Sequence, residues 1–163
     1  MPMVALVGYT NAGKSTVLNR LTRSDIPAND RLFDTLDTTT RRLWLPELSR
    51  EVLVSDTVGF IRKLPTHLVE AFKATLEELQ YADLLLHVID VSAPDWDEQA
   101  AVTDALIRSL GAERTPVLRV YNKCDLLPAF TVLPRDRGGV CVSAATGEGM
   151  DELASRIAKE LMS

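Results

Sequence analysis

The feature that most constrains this chain is a short run near its start, Gly8-Tyr9-Thr10-Asn11-Ala12-Gly13-Lys14-Ser15. An apolar stretch, residues 3–7, precedes it, and helical periodicity through Val17, Leu18 and Leu21 follows over residues 14–23. A strand that turns on glycines into a helix makes backbone N–H groups converge on one point, with the positive end of the helix dipole behind them. In that setting the pattern G-x-x-x-x-G-K-S cradles phosphates. Asn11, Ala12, Gly13, Lys14, Ser15 and Thr16 are the phosphate-binding positions it predicts. Lys14 is expected to bridge the β- and γ-phosphates and the Ser15 hydroxyl to ligate Mg²⁺. A chance glycine-rich turn is the alternative, and the flanking strand and helix argue against it.

The rest of the chain alternates strand-like and helix-like patterns, which predicts an α/β domain around a largely parallel sheet. Residues 41–45 and 52–55 read as two strands joined by Pro46-Glu47-Leu48-Ser49-Arg50, a short link that points to an antiparallel hairpin at one sheet edge. Residues 84–91 form a continuous apolar run, as in a buried central strand, and residues 117–121 and 140–142 add two more. Helices are expected over residues 67–79, 95–110 and 150–161, with Gly111 stopping the second. The polar stretch 24–40 is long for a connection inside a compact domain, and loops of that length are usually functional or disordered. With neither repeat nor linker, residues 1–163 read as one domain.

Composition narrows the partners. A formal net charge of -5 speaks against a free-standing DNA or RNA binder, and the pairs Arg41-Arg42 and Arg62-Lys63 read as solvated faces. The absence of a long apolar run predicts no membrane span, and the short lead into the first strand predicts no signal peptide. Two distant cysteines, Cys124 and Cys141, fit reduced thiols in the cytoplasm better than a disulfide scaffold. Both are expected to be small buried residues near the ligand. A monomer is expected.

Two further motifs follow strands. Asp56-Thr57-Val58-Gly59 ends the second hairpin strand, where the carboxylate can hold Mg²⁺ through water and Gly59 N–H can sense a γ-phosphate. Asn122-Lys123-Cys124-Asp125 ends another strand. There Asp125 can accept from the N1–H and 2-amino groups of guanine. Adenine lacks that donor pair and would leave the carboxylate unpaired. Asn122 is expected to brace the loops, and the aliphatic stem of Lys123 to cover the base. In Ser143-Ala144-Ala145 the Ala144 N–H is placed to meet guanine O6. Three motifs in this order predict GTP and GDP as ligands.

Longer stretches carry a family resemblance. Asp56-Thr-Val-Gly-Phe-Ile-Arg-Lys-Leu-Pro-Thr-His-Leu-Val-Glu-Ala-Phe72 resembles the HflX family of ribosome-associated GTPases, which belongs to the translation-factor-related class. So do Leu32-Phe-Asp-Thr-Leu-Asp-Thr-Thr-Thr-Arg41 and the segment from Thr75 to Asp90. The resemblance spans nearly the whole chain. It implies a Ras-like P-loop GTPase fold, with a mostly parallel six-stranded sheet, one antiparallel edge strand and helices on both faces. It also implies binding to the large ribosomal subunit, stimulated GTP hydrolysis, and a role in splitting or rescuing ribosomes. Family members carry an N-terminal domain that provides much of the ribosome contact, so the chain reads as a G domain excised from a longer protein. One departure is Thr38, where the family usually has proline; this affects loop stiffness rather than chemistry.

Alignment of the Phe-Asp-Thr-Leu segment favours Thr35 as the threonine that completes the Mg²⁺ shell, with Thr38, Thr39 and Thr40 as competitors. Lys14, Thr35 and Gly59 are the expected catalytic contacts, and Ser15, Thr35 and Asp56 the metal positions. Phe60 follows Gly59 where Ras-like enzymes carry a water-orienting glutamine. A phenyl ring cannot orient water, so intrinsic hydrolysis should be slow and a partner should stimulate it. Arg62 reads as a solvated switch residue rather than an internal arginine finger. Asn11 either helps hold K⁺ near the β- and γ-phosphates, as in related GTPases, or simply adopts a turn conformation. His87, inside an apolar strand, reads as a satisfied core histidine, and His67 as the start of a helix. The competing functions are a G domain serving another RNA-linked system, and a nucleotide-binding interaction module with negligible hydrolysis.

Overall fold

The computed structural model describes residues 2–8, 13–22, 39–56, 82–109, 115–123 and 139–162. Asn11, Ala12, Thr35, Gly59, Phe60, Arg62, His67, Gly111, Cys124, Asp125 and the helix expected over 67–79 lie outside the described residues. Six strands and three helices appear within them: β1 (Met3–Gly8), α1 (Lys14–Thr22), β2 (Thr39–Leu45), β3 (Arg50–Asp56), β4 (Leu84–Asp90), α2 (Trp96–Ser109), β5 (Val117–Asn122), β6 (Val140–Cys141) and α3 (Met150–Met162).

The strands form one sheet in the order β2-β3-β1-β4-β5-β6. Only the β2–β3 edge pair is antiparallel; β1 runs parallel to β3 and β4, and the parallel pairing continues through β5 to β6. The hairpin pairs from Leu45 with Arg50 to Thr39 with Asp56, further at each end than side-chain polarity suggests. Ladder hydrogen bonds use backbone groups, so charged residues extend the strands past the apolar run. The turn is held by Leu48 N–H donating to Leu45 O and Ser49 N–H to Pro46 O, both at 3.1 Å. Ser49 takes a left-handed φ of 49° to close it.

Strand alternation divides the core between two faces. Val4 and Leu6 of β1, Leu84, Leu86 and Val88 of β4, and Leu118 and Val120 of β5 share one cluster with Val17, Leu18 and Leu21 of α1 and Leu153 and Ile157 of α3. The opposite face gathers Ile89, Val91, Ala100 and Tyr121, with Trp96 standing edge-on to Tyr121 at 5.9 Å between ring centroids. Helices therefore cover both faces. Cys141 is half-buried at the rim of this second cluster, because β6 has only β5 beside it among the described strands. That corrects the expectation of a buried thiol.

Candidate nucleotide site

The segments singled out in the sequence meet at one edge of the sheet. β1 ends at Gly8, β3 at Asp56, β5 at Asn122 and β6 at Cys141, and every one of these ends points the same way. The chain turns from β1 to β3 on one side and continues with β4 on the other, the switch point at which open α/β sheets take their ligands. Pairing of Leu6 with Asp56 sets Asp56 beside the strand that leads into Gly13, Lys14 and Ser15.

Gly13 opens α1: its carbonyl accepts from Val17 N–H at 2.9 Å, and its φ is +89°. A Cβ there would collide with Asn122 Nδ2, so two independent constraints require glycine. Lys14, Ser15 and Thr16 form the first turn, partly exposed to solvent. The first turn of α1 holds no acidic residue, whereas α2 begins with Asp97 and Glu98 and α3 with Asp151 and Glu152. Those carboxylates complement their own helix dipoles; the first turn of α1 has no such complement of its own.

The opposite wall is built around Asn122, buried at 2% exposure. Its Oδ1 accepts the Ala144 N–H at 3.1 Å, while its amide nitrogen lies against Gly13. One side chain thus joins the phosphate loop to the loop after β6. That loop closes on itself: Ser143 N–H donates to Glu148 O and Gly147 N–H to Ser143 O, both at 2.8 Å, and Thr146 N–H reaches Ser143 Oγ at 3.3 Å. Because Asn122 already takes the Ala144 N–H, a base O6 would have to share that donor. The neighbouring Ala145 is exposed.

Lys123 has a left-handed φ of 66°, an unusual backbone for lysine. Its Nζ lies 3.0 Å from Asp90 Oδ2 at the end of β4. The other oxygen of Asp90 accepts Ser92 N–H at 2.9 Å, so the carboxylate is itself fixed. Sequence reading missed Asp90 and also Arg20, which bonds the loop after β6 from α1. The position of Asp90, at the end of a buried strand beside Asn122, was the available signal.

Below the site, on the α2 face, His87 is 1% exposed with Nδ1 3.2 Å from Asp104 Oδ1, off the line of a good hydrogen bond. Arg119 Nη2 donates to Asp104 Oδ2 at 2.7 Å. Burial alone would raise the Asp104 carboxyl, but His87 and Arg119 more than offset it and hold its pKa below the ordinary 3.8. Burial would likewise lower Arg119, and bonding to Tyr121 with the Asp104 charge raises it instead. The core histidine is a partner in a polar bridge from α2 to β4 and β5.

No described helix is long and apolar enough to cross a membrane. Residues 3–123 match the family model described as 50S ribosome-binding GTPase. The chain is 55% identical over 162 residues to a protein called GTPase HflX from Caldanaerobacter subterraneus subsp. tengcongensis, covering 99% of this chain and 37% of that one. It is 54% identical over 156 residues to GTPase HflX from Lacrimispora saccharolytica, covering 94% of this chain and 36% of the relative. The chain thus spans little more than a third of the length of these curated relatives. Among solved structures, a GTP-binding protein from the archaeon Sulfolobus solfataricus in complex with GDP superposes with a TM-score of 0.81 at 26% identity, covering 99% of this chain and 52% of that one. The fold is that of Ras-like P-loop GTPases. By motif order, sheet topology and similarity along its length, this chain belongs to the 50S ribosome-binding GTPase family, as a G domain of the kind found in GTPase HflX.

Proposed function

We propose that the chain is a switch domain that binds GTP, hydrolyses it slowly and signals its nucleotide state to the large ribosomal subunit. The observation that carries this reading is the convergence on one sheet edge of the Gly13–Ser15 turn and the Asn122–Ala144 brace. Phosphates would lie on the α1 N-terminus, held by Asn11, Ala12, Gly13, Lys14, Ser15 and Thr16. The base would lie between Asn122, Lys123 and Asp125 on one side and Ser143, Ala144 and Ala145 on the other.

The donor set suits a hard cation. Ser15 offers a hydroxyl and Asp56 a carboxylate, oxygen ligands of the kind Mg²⁺ prefers, on elements that β1–β3 pairing brings side by side. Thr35 is the residue we assign to complete that shell in the GTP state. Mg²⁺ would neutralise charge on the phosphate oxygens. Lys14 would stabilise charge at the β- and γ-phosphates, and Gly59 N–H would report the γ-phosphate to the second switch. Phe60 offers no hydrogen bond to water, so turnover should need help: K⁺ placed by Asn11, or a group supplied by the ribosome. The chain is proposed to act in the cytoplasm, within a longer protein whose N-terminal domain makes most of the ribosome contact. Phe60 also supports a second reading, a module that binds GTP and GDP without appreciable turnover.

Both readings are separated by GTP hydrolysis in KCl and in NaCl, with and without purified large subunits. Stimulation by subunits, on the order of 10³-fold as for a supplied arginine finger, is expected if this domain itself carries effector contacts. Stimulation by KCl alone would assign Asn11 its role and leave the partner contact to the rest of the protein. No turnover under any condition, with GDP still bound, would establish the non-hydrolysing module.

A further inference from the structure

Arg20 lies on α1, the helix that follows the phosphate loop, yet both its bonds go to the base side of the site. Its Nε donates to Ala144 O and its Nη2 to Ala145 O, each at 2.7 Å, across 124 and 125 residues of chain. The reach is set by helix geometry: side chains lean toward the N-terminus of their helix, so a residue two turns into α1 extends back toward the sheet edge where the loops gather. The planar guanidinium fork suits two successive carbonyls as an ammonium does not.

We propose that Arg20 is a positioning residue for guanine, resting on the nucleotide reading above. A trans peptide is planar, with its C=O and N–H pointing in opposite directions. Drawing Ala144 C=O toward Arg20 therefore turns the Ala145 N–H away from α1. This leaves the N–H of Ala145, an exposed residue, as the donor for guanine O6, next to the Ala144 N–H that Asn122 Oδ1 already takes. The loop is folded around this clasp. Gly147, at φ +89°, lies beside it, where a Cβ would stand in van der Waals contact, 3.5 Å from Arg20 Nη1. Asn122 and Arg20 thus hold the same loop from two sides, one through an N–H and the other through carbonyls. One helix sets the phosphate turn at its first residue and the base donor from its seventh.

The test is competition of GDP and ADP against a fluorescent guanine nucleotide on the wild-type chain, Arg20→Ala and Arg20→Lys. Loss of a charge-assisted clasp predicts GDP binding about tenfold weaker in Arg20→Ala with ADP changed by less than about twofold, so that selectivity narrows about tenfold. Arg20→Lys, which keeps the charge and loses the fork, should recover only part of the selectivity, and it carries the test alone if Arg20→Ala does not fold. Wild-type selectivity retained in both variants, or GDP and ADP weakened in equal proportion, would overturn the proposal and make Arg20 a staple of the fold. A wild-type chain that does not discriminate GDP from ADP would overturn the guanine reading first, and this inference with it.

Discussion

Lys123 combines a left-handed backbone with an ion-paired side chain. A left-handed φ is uncommon outside glycine, asparagine and aspartate, so the surroundings must hold the residue there. Its ammonium pairs with Asp90 at 3.0 Å, and Ser92 holds Asp90 in turn. Replacement by Asp90→Asn keeps the size and the bond to Ser92 but removes the charge. The Lys123 side chain is 37% exposed, so water screens the pair. The expected cost is about 1 kcal/mol, roughly fivefold in GDP affinity. Release of a fluorescent GDP analogue measures it, and a release rate equal to wild type would remove Asp90 from the base site.

At the scale of elements, the bridge from α2 to β4 and β5 links an acidic group to stability. The Asp104 pKa is lowered in the fold, so its contribution is fully present above the unfolded value near 3.8 and is lost as pH falls through the lower folded value. Asp104→Asn should cost about 2 kcal/mol at pH 7, or roughly 4–8 °C in Tm for a chain of this size. Thermal melts from pH 7 to pH 3 check it: the gap from wild type should narrow toward the acid end. A constant gap would mean the loss is one of packing. This bridge was hidden in the sequence, whereas the elements it joins were readable. Period-2 and period-3.6 apolar patterns disclosed the strands and helices because burial imposes them face by face. The strand alternation that places His87 opposite α2 follows from that pattern, but Asp104 and Arg119 look like ordinary exposed charges until the helix docks. Arg20 was hidden for the same reason. Phosphate and base motifs were readable because glycine at a left-handed turn and asparagine at a strand end tolerate little substitution, as Gly13 against Asn122 illustrates.

At the scale of the molecule, the sheet order explains why residues so far apart in sequence can serve one ligand. Central β1 delivers the phosphate turn, β3 on one flank delivers Asp56, and β5 and β6 on the other deliver the base loops. The Gly13 turn and α1 are tied to the loop after β6 by Asn122 and Arg20. On the proposed reading, a nucleotide lying across that edge has guanine at one end and its γ-phosphate at the other. The most direct check is nucleoside triphosphate turnover by Asp125→Asn with GTP and with XTP, beside the wild-type chain with GTP. An amide presents one donor and one acceptor, which matches the C2 carbonyl and N1–H of xanthine and leaves guanine mismatched. The predicted result is GTP turnover at low substrate reduced by about 10² or more, with XTP turnover within about tenfold of wild type on GTP. A variant that hydrolyses GTP as wild type does, and XTP no better, would contradict the assignment of the base to Asp125 and the orientation of the nucleotide with it.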